Sequence, residues 1–175
     1  MAERRDIISR KIQINRVKQM MSRMEGIEAL EMDENGENIL LAERYLSYTQ
    51  AVYAQDGPPP CSRLPHRSSE RRIVSWILEN MCLDGSQTYF FLCYGIWVKI
   101  RFSDLWAGVK SLWEHYGPCV KGFLLSDAEV SRFMEVSADS RDEENYVMDI
   151  WNCEKEVPVM PDSRDFQNER KQGGK

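Results

Sequence analysis

Histidine is nearly missing from this chain, with His66 and His115 the only two. That removes most routes to a histidine-ligated metal and most acid–base pairs working near neutral pH. Cysteine occurs five times, at Cys61, Cys82, Cys93, Cys119 and Cys153, an odd number with no two close in sequence. The paired spacing that holds zinc or forms a redox dithiol is missing, so these read as reduced, buried thiols. A disulfide framework is not expected, which suits a reducing compartment. Gly108, Gly117 and Gly122 are isolated, so no loop is set up to cradle a phosphate. No serine stands in a nucleophile elbow. The longest uncharged apolar run, Tyr89 to Val98, is about half of what spans a bilayer. Met1 to Asp6 is charged and lacks the apolar core of a secretory signal. The expectation is a cytoplasmic protein with no membrane span, no cofactor and no metal.

What is present is a core former. Hydrophobic residues make up 42% of 175 positions, including 5 Trp, 7 Tyr and 6 Phe, and the length suits one domain. The net charge of -5 argues against a nucleic-acid binder, which is usually basic. Residues 88 to 118 specify a strand-to-helix unit. Lys99 and Arg101 alternate with Val98, Ile100 and Phe102, the period of a half-buried strand. Tyr94-Gly95 leaves open whether Tyr89 to Phe102 is one bent strand or a hairpin, since Gly95 suits a bulge and Tyr is a poor turn residue. Ser103 offers an N-cap hydroxyl and Asp104 suits the positive first turn. Leu105, Trp106, Val109, Leu112, Trp113 and Tyr116 then recur at helical spacing, and Gly117-Pro118 stops the helix.

The rest is arranged around that unit. Ile14, Val17, Met21, Met24 and Ile27 give a seam for a helix over about 5–32, basic in its first part and acidic from Glu25 through Glu28, Glu31, Asp33 and Glu34 to Glu37. Asn35-Gly36 marks a turn. A second helix from about Glu37 to Gln55 completes an N-terminal helical hairpin over 1–55. Gly57 and Pro58 to Pro60 break the pattern, so 56–67 reads as a Pro-rich connection. Ser68 or Ser69 caps a third helix over about 70–81. Strands are expected over 120–125, 130–136 and 146–151. An α+β core then occupies 68–153, a small mixed or antiparallel sheet packed on the Trp-rich helix of 103–116, with helices on one face. The stretch 154–175 reads as a flexible tail.

Chemistry-bearing groups are sparse. His115 and Cys119 are the one candidate base and nucleophile, with no supporting pattern around them. The acids of 139–144 lack the alternating ligands and mid-loop glycine of a calcium loop. Charge asymmetry is the clearer signal: Asp127 to Glu156 holds ten acidic residues against Arg132, Arg141 and Lys155. The expected contact surface is Asp139, Asp142, Glu143 and Glu144, with Glu135 and Asp149 on the adjoining strands, facing a basic protein. The function expected is a non-catalytic protein-binding module, not an enzyme, that neutralises or masks a basic macromolecular partner. Bacterial immunity proteins that block toxins are comparable in composition alone: compact, acidic and α+β. The alternative is an adaptor or regulatory protein that oligomerises, as a homodimer, through a methionine-rich seam of its N-terminal helices.

Overall fold

The computed structural model describes residues 2–115, 122–138 and 141–153. Within them lie four helices and a seven-stranded, wholly antiparallel sheet, an α+β architecture. In chain order they are α1 (Ala2–Met21), β1 (Ile27–Met32), α2 (Ile39–Val52), β2 (Ser62–Pro65), α3 (Glu70–Met81), β3 (Thr88–Cys93), β4 (Ile96–Phe102), α4 (Leu105–His115), β5 (Gly122–Asp127), β6 (Arg132–Ser137) and β7 (Asn145–Asn152). The strand order is β1-β4-β3-β5-β6-β7-β2.

The central hairpin follows from its alternation. Tyr89, Phe91 and Cys93 of β3 pair with Ile100, Val98 and Ile96 of β4. All six are buried in the main core. Tyr94 and Gly95 both take positive φ, 48° and 74°. This is the left-handed pair that a two-residue hairpin turn needs, so the Tyr89–Phe102 segment is a hairpin, with Tyr94 bearing the strain. Asp104 rather than Ser103 caps α4: its carboxylate accepts from the Ala107 N–H at 2.9 Å. Ser69 caps α3 through the Arg72 N–H at 3.4 Å.

The expected helix over 5–32 is split. It ends at Met21, and the chain turns at Gly26 with φ +70°. A Cβ there would lie 2.5 Å from the Gly108 nitrogen and 2.6 Å from the Asp104 carbonyl, so only glycine lets this turn press against α4. Ile27 to Met32 then add to the sheet as β1, beside β4, with a bulge between Ala29 and Glu31. The first 55 residues are therefore helix, edge strand and helix, not a two-helix hairpin. The Pro-rich connection likewise supplies an edge strand, β2, paired with β7.

Helices lie on both faces, not one. Val17 and Met21 of α1, Ile73 and Ile77 of α3, and Val109 and Leu112 of α4 share one core with the odd-numbered side of β3. Leu41, Tyr48 and Val52 of α2 share a second core with Trp97, Leu124 and Phe133 on the opposite side. Each strand sends alternate residues to each face, and both faces are covered, which is why most positions of β4 to β7 are apolar or buried. Trp106 is an exception to the expected helical stripe, 41% exposed at the flank of α4.

Candidate acidic edge and buried carboxylate pair

Antiparallel order decides which loops meet. Pairings of Met32 with Val98, Cys93 with Ile96, Gly122 with Ser137, and Ser137 with Val147 put these residues along one edge of the sheet. The β1–α2 loop (33–38), the Tyr94-Gly95 turn and the β6–β7 connection all leave from that edge. Two of those loops are acidic. With strands about 4.8 Å apart, they stand roughly 20–24 Å from each other.

At the β1 corner, a cleft of about 220 Å³ opens between the loop and the sheet, lined by Glu31, Asp33, Glu34, Glu37, Trp97 and Lys99 among others. Asp33 has a structural duty there, accepting from the Glu37 N–H at 2.8 Å and the Asn38 N–H at 3.2 Å. Asn38 in turn caps α2 through the Leu41 N–H at 3.1 Å. Glu34 pairs with Lys18 at 2.7 Å, and the Arg10 guanidinium donates to the carbonyls of Asp33, Glu34 and Gly95. Part of the basic face of α1 is thus answered by the acidic loop after β1. Glu31 and Glu37 remain exposed.

The other corner holds three of the six expected contact residues. Glu143 and Glu144 are exposed. Asp142 is anchored: it pairs with Arg63 at 3.1 Å and accepts from the Asn145 side-chain amide at 2.9 Å. That bond, joined by the Glu144 and Asn145 backbone N–H groups and Arg63, lowers its pKa against the opposing effect of burial. Asp139 lies outside the described residues.

Glu135 and Asp149 are placed differently. They are cross-strand partners on β6 and β7, on the sheet face under α2. Asp149 is 3% exposed. Arg141 clasps it with two nitrogens, at 2.5 and 3.3 Å, and stacks 4.9 Å from the Tyr53 ring centre. The Tyr48 hydroxyl donates to Glu135 at 2.5 Å, and Tyr53 adds a second hydrogen bond. Burial raises the Glu135 pKa and the Asp149 charge adds to it, while the two tyrosines and Arg141 pull it down. Burial and Glu135 also push the Tyr48 hydroxyl up, so it stays a donor. Asp149, buried, and Glu135, partly buried, therefore form a polar cluster beneath α2, set apart from the exposed glutamates of the same segment.

The β1 corner was legible only in part: its acids stand out in the sequence, but as the end of a helix over about 5–32 and the turn that follows it. Among the described residues no group of three or more His, Cys, Asp and Glu is placed to hold a metal ion. The side chain of His115 and all of Cys119 lie outside the described residues, so their pairing is not placed. No described helix is long and apolar enough to cross a membrane. Compared with known proteins, the chain matches no family model, no curated protein and no solved structure.

Proposed function

We propose that this chain is a non-catalytic protein-binding module that masks a basic macromolecular partner, using the acidic edge of its sheet. The observation that supports this is the convergence of two acidic loops on one edge. Their separation of roughly 20–24 Å matches the width of a standard interface, about 800 Å² per partner. Exposed Glu31 and Glu37 at one corner and Glu143 and Glu144 at the other would steer a positively charged surface into place. The β1 corner adds partly buried Phe90 to its cleft, apolar surface against which the stem of a partner lysine or arginine would pack. A toxin-neutralising immunity protein of the cytoplasm is the role these features suit, with a basic toxin as the partner.

Calorimetry against candidate basic toxin domains tests this at two salt concentrations. Affinity should fall as salt rises, and the quadruple reversal Glu31→Lys, Glu37→Lys, Glu143→Lys and Glu144→Lys should abolish it. Unchanged affinity in that variant sinks the reading.

The adaptor reading has a different basis than the methionine seam. Met21 and Met24 are buried in the main core. What α1 offers instead is exposed Ile7, Ile8 and Ile12, on the part of the helix that runs on from the Arg10 contact. Deleting residues 2–9 and measuring solution mass separates the readings: an oligomer lost on deletion favours the adaptor.

A further inference from the structure

Helix α2 has a second apolar stripe that the fold does not use. Leu41, Tyr48 and Val52 are buried against the sheet. On the other side, Ile39, Leu46 and Tyr53 are 67%, 56% and 47% exposed. They stand seven residues apart, two turns of helix, so they share one line along the outer surface. A helix lying on a core ordinarily turns charged and polar residues outward. Here the charged side chains of Ile39–Val52 are Glu43 and Arg44 alone, and Arg44 is turned in to donate to the Val130 carbonyl at 2.5 Å. Among the described residues α2 is the one helix in the core on this face, so no other described helix covers the stripe.

We propose that this stripe is the seat of a second copy of the chain, with two α2 helices packed antiparallel about Leu46. The pattern is self-complementary. Leu46 is midway between Ile39 and Tyr53, so turning the helix end for end lays Ile39 on Tyr53 and Leu46 on itself. A two-fold contact requires this of a surface, because the same patch must serve both partners. A strict seven-residue spacing drifts by about 20° per repeat around a straight helix, and two helices crossing at about 20° take up that drift. Charge agrees with the choice. A basic or acidic partner would find almost nothing here to pair with, whereas a second copy brings an equally uncharged stripe. The two Glu43 carboxylates fall on opposite sides of the centre, about 9 Å apart along the helix axis, at the rim where water and salt screen them. Antiparallel order also sets each helix N-terminus beside the C-terminus of the other, so the macrodipoles attract.

Size sets the strength. Half-exposed side chains of this bulk carry on the order of 100 Å² each. Ala42, Glu43, Ser47 and Gln50 around them are all exposed. Together they offer about 500–600 Å² per copy, so the pair removes about 1,000–1,200 Å² in all, the lower limit for a specific interface. A reversible dimer with a Kd on the order of 10–100 µM follows.

The test uses the full chain without any partner, and the stripe is separate from the acidic loops, so its outcome is independent of partner binding. Sedimentation equilibrium over two decades of concentration around that Kd should show the mass rising from monomer toward dimer. Leu46→Glu sets two carboxylates against each other at the centre and should weaken association by at least about tenfold. The far-ultraviolet circular dichroism should stay unchanged, since Leu46 lies on the surface. Cysteine placement reads the order. With exposed Cys61 and Cys82 changed to serine, Leu46→Cys should cross-link copy to copy on oxidation. Ile39→Cys should not, because antiparallel order keeps it about 20 Å from its own counterpart. A chain that stays monomeric, or a dimer indifferent to Leu46→Glu, overturns the proposal. Self-linking of Ile39→Cys does the same, as does a dimer lost on deletion of residues 2–9, which would place the contact on α1. A monomer that dimerises only once residues 154–175 are removed would make that segment the occupant instead and equally overturns it.

Discussion

Truncating Arg141 is the sharpest probe of how the second face of the sheet is held. An exposed ion pair would be worth about 0–1 kcal/mol, and its loss would scarcely register. This pair is not of that kind, because Asp149 is 3% exposed and a second carboxylate, Glu135, sits opposite it. Arg141→Ala leaves a buried anion without its cation, a change that costs about 3–5 kcal/mol in comparable sites. Loss of the stacking on Tyr53, 4.9 Å away, adds about 0.5–2 kcal/mol. The total is a large share of the roughly 5–15 kcal/mol by which domains are stable. Most of that loss is the stranded charge and not the bond itself, so Arg141→Ala combined with Asp149→Asn should recover about 2 kcal/mol or more. Urea unfolding at pH 7, followed by far-ultraviolet circular dichroism, measures both, with an unchanged m-value as the check that only stability moved. A loss below about 1 kcal/mol in the single variant, or a coupling below about 0.5 kcal/mol, would refute the account of Asp149 as a buried anion held by Arg141.

Gly108→Ala should destabilise by about 1–3 kcal/mol despite the better helix propensity of alanine. Its Cβ would stand 2.5 Å from the Phe102 ring and 2.9 Å from the Gly26 carbonyl, and thermal unfolding reads the shift; a more stable variant would show that the turn can give way. Burial pushes the Cys93 thiol up to about 12, so it should resist a thiol reagent at pH 8 until the chain unfolds, while exposed Cys61 and Cys82 react at once. Mass-spectrometric mapping of the labelled sites decides this, with early labelling of Cys93 as the contrary result. Asp142→Asn should blunt acid sensitivity. The Asn145 amide and neighbouring donors lower the Asp142 pKa in the fold, so its contribution is present above the unfolded-chain value and lost as pH falls through the folded one. Melting curves between pH 5 and 2.5 should therefore fall less steeply in the variant, and parallel curves would count against the anchoring role.

Local pattern was most readable where one choice of structure satisfied every nearby residue. Helix α3 was expected over about 70–81 and spans Glu70–Met81, because a serine cap precedes a strongly one-sided apolar stripe. Strands β5, β6 and β7 fall within two residues of their expected starts and ends. Trp106 was misplaced because a stripe in sequence is wider than the surface that neighbouring elements can cover. Ile27 to Met32 was misread for a different reason: its apolar residues fit a helical seam as well as a strand, and only pairing with β4 settles the competition. The acids show the same limit. Glu135 and Glu144 look alike in sequence, yet one faces Tyr48 under a helix and the other faces water.

By itself, then, the order of residues determined the helices with caps, the central strands, and an acidic α+β chain with too few histidines and scattered thiols. These are properties of neighbours along the chain: spacing, capping and alternation act over a few residues. Tertiary structure alone decided that α2 covers the second face, that the two acidic loops share an edge, and that Glu135 meets Asp149 beneath Tyr48. Those outcomes depend on strand order and direction, and strand order is set by which surfaces far apart in sequence bury best against each other.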